Sequence, residues 1–287
     1  FVVPRTCVYP YEVVATADVA CDFYLALVMA DLVGRIDVIS TAYRKKSLLH
    51  MNHPYYVRVL DTLAAPVQKA AAPPFGFVYE LQKDDVEAPP QLCVVARGTT
   101  TYKEVNIDLN MNQVLFYNVE KTNYHGLVHA GFYEMYDSLY RKQLFELLKP
   151  YRHENTKIML AGHSLGGAIV ILMALDLALY FSHWEVEAFV FGSPRVGNRT
   201  FHNYVLCQPN LQIWRFFNTA DLIQDMPPAV TPNFTSPEED TLLYEHVGEP
   251  LSFTLNRGTW QMNHRMETYI QAVERLYAQP SAAASTT

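Results

Sequence analysis

A serine flanked by glycines, Gly162-His163-Ser164-Leu165-Gly166, constrains this 287-residue chain more than any other feature. The run Ile158-Met-Leu-Ala leads into it with the composition of a strand. Residues 168–181 leave it almost wholly apolar, with no Gly or Pro, as expected of a buried helix. Strand, G-x-S-x-G and helix in succession form the pattern in which a serine is held on a tight, strained turn at the end of a sheet strand. The glycines follow from sterics: a Cβ at 162 or 166 is expected to collide as strand and helix close around the serine. A serine so placed also lies at a helix N-terminus, whose dipole favours a developing anion. The plainer alternative is a glycine-rich turn with a capping serine, and the two flanking elements weigh against it.

The rest of the chain extends this unit into an α/β fold. Residues 11–39 are rich in Ala, Leu and Val and read as one long buried helix, kinked near Gly34. A mixed stretch ends in the connector Ala70-Ala-Ala-Pro-Pro. Residues 75–81 and 92–96 read as neighbouring strands joined by a polar, proline-ended loop. A loop region at 98–126 precedes a helix at 133–148 and a strand at 157–160. Beyond the apolar helix come a strand at 186–191, a helix at 201–206, a strand at 211–217, a β-pair at 242–246 and 251–255, and a last helix at 266–277. Strands alternating with helices predict a central, mostly parallel sheet with helices on both faces. Half of the residues are apolar and 18% are charged, enough to build such a core without metals or crosslinks. One domain is expected over 1–278, with no internal repeat, and 279–287 reads as a small, polar, disordered tail.

Charge and cysteine usage narrow the function classes. A net charge of −7 opposes nucleic-acid binding and docking on anionic membranes by charge alone. The most apolar stretch, 13–33, is interrupted by Asp18, Asp22 and Asp31, so no transmembrane segment is expected. The chain shows no basic leader with a cleavage site, although one has room to have been removed ahead of Phe1; a secreted or lumenal setting is slightly favoured over a cytoplasmic one. Cys7, Cys21, Cys93 and Cys207 contain no C-x-x-C pair. Cys93 reads as a buried small hydrophobe, while the pairing of Cys7, Cys21 and Cys207 stays open. No H-E-x-x-H, Walker or G-x-G-x-x-G pattern is present, and neither a metal nor an organic cofactor is expected. Asn198-Arg-Thr and Asn233-Phe-Thr match the glycosylation sequon, a triplet that chance often supplies.

If Ser164 is a nucleophile, its partners follow by elimination, because in this fold the order is Ser, then Asp or Glu, then His. Of ten histidines, only His246 and His264 follow both Ser164 and a suitable acid. Asp176 rides the helix leaving the turn and should point away. Asp240 sits in an acidic run that reads as solvated surface. Asp221, in Asn218-Thr-Ala-Asp-Leu, comes directly off a strand and is preferred; Asp225 is the reserve. His264 lies in a connector ahead of the last helix and is preferred over His246, which falls in a strand-like run as a hydrogen-bonded structural group. His129 and His163 read as satisfied structural groups, and Arg195 as a loop-fixing residue.

Several separated segments resemble one family, the fungal-type triacylglycerol lipases or class 3 lipases. They are Arg97-Gly-Thr, Val128-His-Ala-Gly-Phe, Gly162-His-Ser-Leu-Gly-Gly-Ala, Phe191-Gly-Ser-Pro-Arg-Val-Gly-Asn and Asn218-Thr-Ala-Asp-Leu-Ile, with Tyr244-Glu-His-Val-Gly and Asn263-His-Arg-Met-Glu-Thr-Tyr. The resemblance implies an α/β-hydrolase fold and a Ser164–Asp221–His264 triad. It also implies an oxyanion hole from Thr99 and the backbone N–H of Leu165. It makes 102–112 the counterpart of the family's lid, here with strand-like alternation and without the tryptophan that relatives often carry near Val105. The implied activity is hydrolysis of acylglycerol-type lipid esters, met as a lipid or ester substrate at a lipid–water interface. Phospholipase A1-type and feruloyl-type esterases use the same triad, and a non-catalytic lipase-like scaffold is the alternative from another class.

Overall fold

Residues 157–163 carry apolar side chains on both faces, and the chain places them as an inner strand, β7 (Lys157–His163), buried on either side. A computed structural model describes residues 21–35, 49–50, 55–63, 75–83, 91–98, 111–116, 125–154, 156–233 and 241–278. β7 lies within an eight-stranded sheet together with β1 (Leu49–His50), β2 (Tyr55–Leu63), β3 (Gly76–Lys83), β4 (Gln91–Ala96), β8 (Glu185–Phe191), β9 (Leu211–Asn218) and β12 (Glu249–Phe253). The order is β1-β2-β3-β4-β7-β8-β9-β12. Pairing is parallel from β4 through β12 and antiparallel from β1 to β4. The expected 75–81 and 92–96 neighbours are thus an antiparallel pair, with Tyr79 opposite Cys93.

The two-residue period of the strands feeds two cores. Ile158 and Leu160 of β7 belong to one layer, with α4 (Leu165–Tyr180) and Trp184. Met159 and Ala161 belong to the other, beneath α1 (Phe23–Gly34) and α7 (Met266–Ala278). Helices therefore cover both faces, as the sequence predicts. Because α4 is enclosed on all sides, its one acid must be satisfied inside. Asp176 is fully buried, accepting from Tyr136 Oη at 2.7 Å and Arg141 Nε at 2.6 Å. Among the described residues no helix is long and apolar enough to cross a membrane.

Five expectations need correction. The helix expected over 11–39 is described as Phe23–Gly34, capped by Asp22, whose carboxylate accepts from Leu25 N at 3.0 Å; the remainder lies outside the described residues apart from Arg35. The stretch read only as mixed contains β1 and β2, and the region read as loop contains β5 (Gln113–Leu115), which pairs with β6 (Leu127–His129). The helix expected at 133–148 starts earlier, as α2 (Ala130–Met135), and passes through a π-helical segment, Tyr136–Arg141, into α3 (Lys142–Leu148). The β-pair of 242–246 with 251–255 does not form. β11 (Leu242–Leu243) instead pairs with β10 (Val230–Thr231), and β12 runs parallel to β9, with Leu251 beside Phe216. Strand composition marks both segments but not their partners; Gly248, at φ 94°, turns the chain between them. The expected tail, 279–287, lies outside the described residues. Cys21, Cys93 and Cys207 form no disulfide with one another, and Cys93 is fully buried as expected.

Candidate active site

At the C-terminal end of β7 the chain reverses into α4 through Ser164, the one described non-glycine residue with positive φ (56°, ψ −129°). Such backbone costs on the order of 1–3 kcal/mol and persists only where its surroundings fix it. Here Ser164 N donates to Phe191 O at 3.0 Å, and Ser164 O accepts from Gly167 N at 2.9 Å as α4 starts. The glycines serve as expected at one position and differently at the other. A Cβ at Gly162 would strike the backbone of Gly166 and lie 2.8 Å from Gly167 N, strand against helix. A Cβ at Gly166 would meet the end of β4 instead, 2.6 Å from Ala96 O. The turn thus also needs the neighbouring strand to approach closely.

Ser164, His264 and Asp221 come together although 57 and 43 residues separate them along the chain. Ser164 Oγ donates to His264 Nε2 at 2.7 Å, and His264 Nδ1 donates to Asp221 Oδ2 at 2.6 Å. A carboxylate only accepts, so the proton on the neutral ring sits on Nδ1 and leaves Nε2 free to take the serine proton. All three residues are buried, at 5%, 4% and 0% exposure, which strengthens each charge-dependent contact. Burial by itself pushes the Asp221 carboxyl upward, yet it lies below its ordinary value. His264, Tyr269 Oη (2.6 Å to Oδ2) and Ile223 N (2.9 Å to Oδ1) outweigh the desolvation.

The loops are clamped by two asparagines to which the sequence reading assigned no role. Buried Asn218, the last residue of β9, donates from Nδ2 to Leu255 O (2.9 Å) and Asn263 O (3.2 Å) and accepts from Leu255 N (2.9 Å). Asn263 donates to Ala220 O at 2.8 Å and accepts from Arg257 N at 2.6 Å. The loop bearing Asp221 and the short helix α6 (Trp260–Asn263), which His264 ends, are thereby tied at both sides. Both residues stand in motifs quoted above, beside the acid and the histidine, and adjacency was the one available signal.

Tyr269 was also missed. It lies on α7, one turn beyond the histidine, and shares with it a single oxygen of Asp221. Tyr269→Phe is expected to lower kcat about tenfold with KM unchanged, the size of one hydrogen bond to a charged group; steady-state kinetics on a soluble ester checks it.

The remaining candidates fall elsewhere. Asp225 is 60% exposed at its side chain and faces Arg195 (3.4 Å), which also donates to the carbonyls of Asp225 and Pro227, fixing that loop as expected. Asp176 is engaged behind α4, and Asp240 lies outside the described residues. His246 is not the partner of Ser164 Oγ, which bonds His264 Nε2; the ring of His246 instead feels the charges of Arg215 and Arg195. It was expected to be hydrogen-bonded; among the described residues its buried Nδ1 has no partner, while its backbone carbonyl accepts from His202 Nδ1 at 2.6 Å. Thr99 lies outside the described residues, but Gly98 abuts the turn: a Cβ there would stand 3.1 Å from Ser164 Cβ. Leu165 opens α4, where a first-turn N–H has no intrahelical acceptor and points with the dipole toward incoming negative charge. Among the described residues no group of three His, Cys, Asp or Glu side chains is arranged to hold a metal.

Residues 93–231 match the family Lipase (class 3), a segment that holds the serine turn and the acid loop together. Over that segment the chain is similar to the class 3 lipases. "Phospholipase A1-II 1" of Oryza sativa subsp. indica is 32% identical over 162 residues, 51% of this chain and 40% of that protein. "Lipase" of Rhizomucor miehei is 31% identical over 140 residues, 47% of this chain and 37% of that one. The chain thus spans about two fifths of the length of these relatives. The native Rhizomucor miehei lipase propeptide complex superposes with a TM-score of 0.61 at 20% identity, over 85% of this chain and 72% of that one, which shows a shared fold. The eight-stranded sheet accordingly has the α/β-hydrolase fold of that structure.

Proposed function

We propose that this protein is a serine ester hydrolase acting on acylglycerol-type lipids. The observation that carries the proposal is the unbroken hydrogen-bonded chain from Ser164 Oγ through His264 to Asp221, set at a helix N-terminus. In it His264 Nε2 takes the Ser164 proton as Oγ attacks the ester carbonyl, forming an O–C bond and an oxyanion. The Leu165 N–H and Thr99 hold that oxyanion. Collapse expels the alcohol, which receives the proton from His264. Water, deprotonated by the same imidazole, then splits the acyl-enzyme and returns Ser164 to its starting state. Asp221 keeps the ring oriented and offsets the imidazolium charge in both halves.

An apolar rim supports a substrate held at a lipid surface. Leu222, next to Asp221, is 60% exposed; Trp260 and Met262, just before His264, are 38% and 37% exposed. Burying such side chains in lipid gains roughly 1.5–3 kcal/mol each. Leu222→Ser with Trp260→Ser is therefore expected to cut turnover of an emulsified long-chain glyceride about tenfold or more. Hydrolysis of a soluble acetate ester should be unchanged. Equal losses on both substrates would remove the interfacial role.

The names of the plant relatives favour a second reading, phospholipase A1-type hydrolysis through the same triad. A p-nitrophenyl series from acetate to palmitate, followed by triacylglycerol against phosphatidylcholine, separates the readings. Activity rising with acyl length and preferring glycerides supports the first. Preference for the phospholipid supports the second. Activity confined to acetate and butyrate would sink both, and a folded protein inactive on every ester would leave the non-catalytic scaffold.

A further inference from the structure

β7 ends at His163, and the Nε2 of its ring lies 2.7 Å from the backbone carbonyl oxygen of His264. A carbonyl only accepts, so His163 carries its proton on Nε2 and donates it. The two imidazoles face each other with centroids 4.6 Å apart and planes 34° from parallel. The ring of Tyr269 meets His163 edge-on at 5.7 Å. On another side, a Cβ at Gly98 would lie 3.4 Å from His163 Nδ1. This one side chain thus meets His264 and Tyr269 and lies beside Gly98, which leads to Thr99.

We infer that His163 is a positioning residue for His264, acting on its backbone through the Nε2–H bond and on its ring through the tilted face-to-face contact. The inference rests on the roles proposed for Ser164 and His264. His264 closes the short helix α6, where its N–H is already used, donating to Trp260 O at 3.0 Å. A carbonyl at a helix end lacks an intrahelical donor, and His163 supplies one. The demand on this backbone is strict, because one ring must meet Ser164 Oγ at 2.7 Å and Asp221 Oδ2 at 2.6 Å together. The neutral form of His163 is favoured as well. Burial pushes its pKa down to about 3 and His264 adds to the effect; the bond to the His264 carbonyl and the Asp221 charge oppose it. A neutral neighbour tolerates the imidazolium that forms on His264 during turnover, whereas a second cation at that distance would resist it.

The test is the pH–rate profile on a soluble short-chain ester for the native protein, His163→Leu and His163→Gln. Leu fills the space without donating, and Gln returns an N–H donor near the same place. His163→Leu is expected to lower kcat about 30-fold with KM little changed, as a displaced catalytic group does. Its acid limb should move to lower pH, because a loosened His264–Asp221 pair stabilises the imidazolium less. His163→Gln should recover kcat to within about threefold of native, since the N–H donor is what the backbone requires. If both variants lose only thermal stability while the acid limb stays in place, His163 is packing and the inference falls. Should neither variant fold, nitrogen-15 spectra of histidine-labelled native protein still decide. The neutral Nε2–H tautomer from about pH 8 to about pH 5 is expected, and an Nδ1–H tautomer or a charged ring near pH 6 would overturn the inference. Turnover surviving in Ser164→Ala would count against the function proposed above. A serine-dependent enzyme whose acid limb ignores His163→Leu would count against this inference alone.

Discussion

Ser164→Ala is expected to lower ester turnover by about 10⁵-fold or more while leaving the fold in place, as loss of a triad nucleophile does. The two halves of that expectation have separate causes. The hydroxyl makes no capping bond to α4; its partner is His264 Nε2. The strain at φ 56° belongs to the backbone and to Cβ, which alanine keeps, and the bonds from Ser164 N and to Ser164 O are main-chain bonds. Removing Oγ therefore costs about 1 kcal/mol of stability, the net value of a single hydrogen bond. Chemically the loss is complete, since no other hydroxyl approaches His264 Nε2 among the described residues. Thermal melting and single-turnover hydrolysis of a p-nitrophenyl ester measure the two effects. Variant protein free of wild-type contamination that still releases nitrophenol at a native rate would refute Ser164 as nucleophile.

Much of this arrangement was legible in the sequence because its determinants are local. The strand, glycine turn and apolar helix at 158–181 lie side by side, and the collision at Gly162 follows from the motif alone. The choice of Asp221 and His264 used only chain order and their place in loops at strand and helix ends. What stayed hidden depends on contacts distant in sequence. Asn218, Asn263 and Tyr269 look like ordinary loop and helix residues until β9, α6 and α7 converge on Asp221. The contact at Gly166 was misassigned for the same reason: its obstacle is the end of β4, about seventy residues away. β11 and β12 were recognisable as strand-forming segments, but strand propensity describes a half-buried surface and does not say which edge will cover it. His163 was read as a satisfied structural group. Its hydrogen bond is satisfied, and the partner, the carbonyl of His264, gives that bond its significance.

Asp221→Asn should lower kcat about 10⁴-fold without disrupting the fold, the scale of losing the correct imidazole tautomer. Three donors converge on the native carboxylate: His264 Nδ1 and Tyr269 Oη on Oδ2, and Ile223 N on Oδ1. An amide has one acceptor oxygen. If that oxygen takes the Oδ2 place, the amide NH2 faces the Ile223 N–H, donor against donor. If the NH2 takes it, His264 must accept at Nδ1 and carry its proton on Nε2, where it blocks transfer from Ser164. Both orientations cost, and the second inactivates the base. The sign of the pH dependence follows from the lowered Asp221 pKa. The stability this carboxylate contributes is present above its unfolded value of roughly 3.9 and is lost only as pH falls through the lower folded value. Asp221 thus stays ionised down to that lowered value, so protonation of this carboxylate should not set the native acid limb. Asp225→Asn is the matched control. Its side chain is 60% exposed beside Arg195, and less than about a twofold change in kcat is expected from an exposed pair. Measuring kcat for both variants at saturating soluble ester decides the acid. A collapse in Asp225→Asn with activity retained in Asp221→Asn would transfer the role and break the hydrogen-bonded chain on which the proposed mechanism stands.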